Sequence, residues 1–101
     1  MALRYWAFIY KSPGFTPQKN TAVMESAQCK MKCVGVDMAH PEQAIEVAKH
    51  LVAEGVQAIE LCGGFSPVWA GKIIEAINYA VPVGVVAYGP ESIDSMHKLF
   101  S

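Results

Sequence analysis

The stretch AIELCGGFSPVWAGKIIEAI, Ala58 to Ile77, decides the fold class. It reads as a buried strand, a glycine turn and a capped amphipathic helix. Side chains alternate along a strand, so Ile59 and Leu61 share one face while Ala58, Glu60 and Cys62 share the other. Gly63-Gly64 lets the chain turn without a Cβ clash. Ser66 stands where an N-cap belongs, and Pro67 falls at the first helical position, where a missing N–H costs nothing. Ala70, Ile73, Ile74 and Ile77 follow at helical spacing as one apolar stripe, leaving Lys72, Glu75 and Asn78 for water. This is one βα unit.

Working outward, the chain repeats that rhythm. Leu3 to Tyr10 is aromatic and β-branched, apolar on both faces, and predicts a strand central in the sheet. Lys30 to Val36 predicts a second strand; Lys30 and Lys32 alternate with Met31 and Cys33, which suits an edge. The turn Asp37 to His40 leads to a helix opening at Pro41, with Ile45, Ala48, Leu51 and Val52 as its stripe and Gly55 as its stop. Pro82 to Tyr88 predicts a fully buried parallel strand, and Glu91 to Phe100 a last helix with Ile93, Met96 and Phe100 on one face. Residues 15–28 admit three readings. Thr16-Pro17 opens a short helix followed by a loop, or the segment is an irregular crossover, or Thr21 to Ser26 forms an extra edge strand; the first is the one adopted.

A βαβαβα rhythm implies parallel strands joined by right-handed crossovers. The expected fold is a single α/β domain over residues 1–101. Its sheet is small, open, mainly parallel and four-stranded in the order 2-1-3-4, with helices packed on it, flavodoxin-like or half-barrel-like.

Composition narrows the function classes. In 101 residues, 52% hydrophobic content excludes a disordered chain. A net charge of -1 and a pI near 6.3 argue against charge-driven binding to nucleic acid or a membrane surface. The longest apolar run, Ala80 to Tyr88, is under half the ~20 residues of a membrane helix, and no signal peptide is legible. Three cysteines, Cys29, Cys33 and Cys62, make no disulfide framework and fit a reducing cytoplasm. No Cys/His cluster has zinc-ligand spacing, so neither a metal nor a cofactor is expected. High aromatic content with low charge predicts a homo-oligomer, a dimer.

In an open parallel sheet, ligands bind outside the carboxyl ends of the strands. That edge gathers Tyr10 and Lys11; Asp37 and His40; Cys62, Gly63, Gly64 and Ser66; Tyr88, Glu91 and Ser92. Cys62 at a helix N-terminus is either an activated thiol or a small hydrophobe ending a strand. His40 is a ligand group or a plain turn residue before Pro41. Asp37 is an acid or a turn-forming side chain. Glu60, a carboxylate within an apolar strand, must be paired, exposed at an interface, or held with a shifted pKa for use. Catalytic candidates are therefore Cys62, Glu60, His40 and Asp37, with no reaction assigned. The ligand-binding set is Gly63, Gly64, Ser66 and Tyr88, for a small anion at the opening of the Pro67 helix. The alternative is a noncatalytic assembly or partner-binding protein.

WAFIY, VGV, the run AIEVAKHLVAEGVQAIELCGGFSPVWAGKIIEAI and VPVGVVAYG together resemble a family of small prokaryotic proteins, domain of unknown function 6506. The resemblance spans nearly the whole chain, with IELCGGF its most specific piece. It implies a one-domain α/β protein and supplies no activity and no catalytic residues. More loosely, IELCGGF followed by VPVGVV is similar to phosphate-holding βα units of (β/α)8 barrels, although 101 residues fall far short of a barrel of ~250.

Overall fold

The structure, a computed structural model, describes residues 2–101. Its strands are β1 (Tyr5–Ser12), β2 (Thr21–Glu25), β3 (Lys30–Asp37), β4 (Ile59–Leu61) and β5 (Val83–Val85). Its helices are α1 (Gln43–Ala53), α2 (Pro67–Ala76) and α3 (Ile93–Phe100), the last preceded by a 3-10 turn at Pro90–Ser92. The sheet is open and five-stranded, ordered β2-β3-β1-β4-β5. β2 runs antiparallel to β3, and the other pairings are parallel.

Crossover handedness explains where the helices sit. α1 carries the chain from β3 past β1 to β4, and α2 carries it from β4 to β5. Both connections step the same way across the sheet, so right-handed crossovers place both helices on one face. That face is the core. Ala7, Ile9, Val34, Val36, Ile59 and Leu61 meet Ala44, Ala48 and Leu51 of α1 and Ala70, Ile73 and Ile77 of α2, all buried. Small residues at 44, 48 and 70 let the helices approach closely. Each fully buried Leu or Ile contributes about 1.5–3 kcal/mol.

The connection from β1 to β3 steps the opposite way. A helix there would cover the second face, as in a doubly wound fold. Residues 15–28 instead form a short turn and strand β2, so the adopted helix-and-loop reading of this segment is corrected. Bonds from the Lys19 and Asn20 amides to Thr16 O close the turn, at 3.2 and 2.8 Å. The flavodoxin-like expectation fails for the same reason, and the sheet gains a fifth strand. Trp6, Phe8, Met31 and Cys33 line an uncovered face, half-buried, with Met24 of β2 61% exposed beside them. Only its upper end is roofed. The Phe15 ring lies edge-on to Tyr10 at 5.6 Å, above Gly35, where a Cβ would come within 2.8 Å of Phe15.

Three smaller expectations also change. β3 is internal, because β2 pairs along its outer side. Its lysines stay at the rim on the helix side, where Lys32 meets Glu54 at 2.9 Å and Lys30 lies 4.6 Å over the Tyr5 ring. β5 is a three-residue edge strand rather than a buried one, with Val86 just beyond it 43% exposed. The Pro41 helix begins at Gln43, two residues late, after a tight turn in which the Gln43 N–H reaches His40 O. The expected order of the four parallel strands, with β1 central, holds. Among the described residues no helix is long and apolar enough to cross a membrane.

Candidate functional cleft

The chain leaves β1 towards β3 on one side, and later returns to β4 on the other. The carboxyl ends of β1 and β4 therefore lie side by side at the reversal point, where such sheets open a crevice. A cleft of about 550 Å³ lies there, between the sheet edge and α3.

Its floor is Gly63-Gly64. Both glycines have ordinary φ, since among glycines only Gly14 and Gly55 lie in the left-handed region. What they supply is space. A Cβ on Gly63 would stand 2.5 Å from Tyr88 Cε2, and one on Gly64 would stand 3.2 Å from Lys11 Cε. The two glycines thus seat the Tyr88 ring and the Lys11 stem flat against the backbone. Phe65, buried beneath, holds the Lys11 ammonium 5.2 Å from its ring centroid, within cation–π range. Met38 closes one side, and Ile93, Met96, His97 and Phe100 of α3 form the roof. These residues recur at helical spacing i, i+3, i+4, i+7, which is why one face of α3 meets the cleft. The helix is lightly docked, with no buried residue, and Ile93 and Phe100 stay more than half exposed.

The anticipated site residues separate into groups. Gly63, Gly64 and Tyr88 line the cleft. Ser66 does not; its Oγ accepts the Trp69 N–H at 3.4 Å as the N-cap of α2. Cys62 is adjacent, its sulfur 3.4 Å from where a Gly64 Cβ would be and accepting the Lys11 backbone N–H at 3.3 Å. The Phe65 N–H donates to Cys62 O at 3.0 Å, so part of the amide supply at the helix opening is spent internally. Asp37 accepts from Gly14 N at 3.2 Å and Ala39 N at 3.1 Å, tying two loops together. Those backbone donors hold its carboxyl below the usual range. His40 Nδ1 lies 3.1 Å from Glu42, both well exposed. Glu60 is on the bare sheet face, exposed beside Gly84 in a separate groove.

Lys11, Met38 and the α3 stripe are the lining residues that sequence reasoning did not include in its ligand set. Lys11 was legible at the edge of β1; the apolar face of α3 was legible as a stripe without its target. Among the described residues no group of three His, Cys, Asp or Glu side chains is arranged to hold a metal ion, and no cysteine or serine is hydrogen-bonded to a histidine.

No curated protein and no solved structure matches the chain. Residues 4–101 match the model of a family of unknown function, DUF6506, and the chain belongs to that family.

Proposed function

We propose that this protein binds a small acidic molecule with an apolar body in the cleft between the β1–β4 edge and α3. One observation carries the reading. A cleft of about 550 Å³, within the range of small-molecule sites, has Lys11 and His97 as its nitrogen-bearing side chains, no carboxylate on its lining, and otherwise mostly apolar walls. Lys11 recognises the acid group. The Tyr88 ring, Met96 and Phe100 cover the body. The glycine floor allows close approach to the backbone, and the opening of α2 adds partial positive charge beneath it. The Cys62 sulfur beside the floor accepts the Lys11 backbone N–H, and the role proposed for the cleft is binding.

Native mass spectrometry of purified protein tests the reading, followed by calorimetry with octanoate as probe. A retained small acid, or octanoate binding weakened about tenfold or more by Lys11→Ala, is the expected result, since a hydrogen bond to a charged group contributes about 1.5–3 kcal/mol. Clean spectra together with octanoate binding indifferent to Lys11 would remove the basis for it.

A further inference from the structure

Parallel sheets occur almost only with both faces covered. Here α1 and α2 cover one face and the other is bare from Trp6 and Phe8 of β1 across Met31 and Cys33 of β3 to Met24 of β2. We infer that this face docks a second copy of the chain, sheet against sheet, in a two-fold dimer. The inference is independent of the cleft.

Surface area carries the choice of occupant. A lone folded monomer of 11.0 kDa exposes about 5,600 Å², whereas this chain exposes 6351 Å². The surplus of about 700 Å² is close to the ~800 Å² that each partner loses in a standard interface. Shape agrees. The radius of gyration is 13.9 Å, against about 12.7 Å for a compact chain of this length. Part of the surplus lies on α3, where Ile93, Leu99 and Phe100 stay more than half exposed, and Met24 on the sheet face is exposed as well.

Charge points the same way. Away from its ends the face carries one charged side chain, Glu60, opposite Phe8 and Gly84 in the register. It sits at the margin, in an open groove of about 250 Å³. A nucleic acid, an acidic partner or an anionic vesicle would find no cation to pair with away from the ends of this face. A flat, neutral, apolar surface fits, and a second copy brings one with its own Trp6, Phe8 and Met31. Sheets packed face to face stand about 10 Å apart, so these side chains interdigitate to fill the gap.

Sedimentation equilibrium at tens of micromolar tests this. The wild-type chain should give twice its 11.0 kDa mass. Phe8→Arg should give the monomer mass with unchanged far-ultraviolet circular dichroism, while Leu99→Ser on α3 should stay dimeric. A second readout uses folded protein without a face mutation. In a Trp69→Phe background, acrylamide quenching of Trp6 should rise several-fold on dilution through the dissociation range. A monomeric wild type, a folded Phe8→Arg chain that stays dimeric, or Trp6 quenching indifferent to concentration overturns the inference. So does a monomer that partitions onto neutral phosphatidylcholine vesicles through Trp6.

Discussion

Gly63 and Gly64 are legible in the sequence as a turn, yet their work is to leave room for Tyr88 and Lys11. A turn-forming glycine and a space-making glycine look alike in one dimension, because the difference lies in side chains 25 and 53 positions away. The distinction has a consequence. Gly63→Ala adds a methyl that strikes the exposed Tyr88 ring rather than backbone, so the ring swings out of the cleft. Thermal stability should change by less than about 1 kcal/mol while octanoate binding falls markedly; melting curves beside calorimetry check both halves. At the opposite end of β1, burial pushes the Tyr5 hydroxyl up to about 12, helped by its hydrogen bond to Glu54 at 2.9 Å. A raised folded pKa means stability held below the unfolded value near 10 and lost as pH rises towards 12. Glu54 is lowered instead, chiefly by Lys32, so its contribution is present above the ordinary carboxylate range and is lost on acidification. Tyr5→Phe should therefore flatten the alkaline fall in stability and leave much of the acid limb, as measured by urea unfolding across pH.

α2 is the element that sequence specifies most completely. Ser66, Pro67 and the Ala70-Ile73-Ile77 stripe agree locally, and the helix starts and packs where they direct. Ser66→Ala should cost about 1 kcal/mol through loss of the cap, and Leu51→Ala on neighbouring α1 about 2–5 kcal/mol because the site is closed on all sides. Denaturant midpoints separate the two. β2 is the contrasting case. Thr21 to Glu25 is exposed throughout, so no buried stripe marks its period, and Thr16-Pro17 imitates a helix start. Its conformation comes from pairing with β3, a tertiary contact invisible to local reading. β5 departs from expectation for the opposite reason. A run of valines signals burial on both faces, but only one face of this strand finds a helix. The sequence shows the stripe of α3 but not its target, since the cleft that receives it is assembled from the carboxyl end of β1 and three distant turns. Its light docking predicts that hydrogen exchange of α3 amides outpaces that of α1 and α2 by orders of magnitude.

Taken whole, the molecule is a one-sided sheet with two unfinished apolar surfaces, the bare face and the underside of α3. A single cause underlies the first: the β1-to-β3 connection holds a strand where a second-face helix would lie. The order of the parallel strands was legible because crossover handedness leaves few choices; the one-sidedness was not, because it hangs on the ambiguous residues 15–28. As proposed above, the bare face serves assembly and the cleft serves binding, on different parts of the molecule. The central claim is that the glycine floor and α3 enclose one ligand site. Amide NMR during an octanoate titration tests it most directly. Gly63, Gly64, Met96 and His97 should shift together along one saturating curve at up to millimolar probe, and Lys11→Ala should weaken that curve about tenfold. Shifts confined to other amides, or floor and α3 signals that follow different curves, would contradict it.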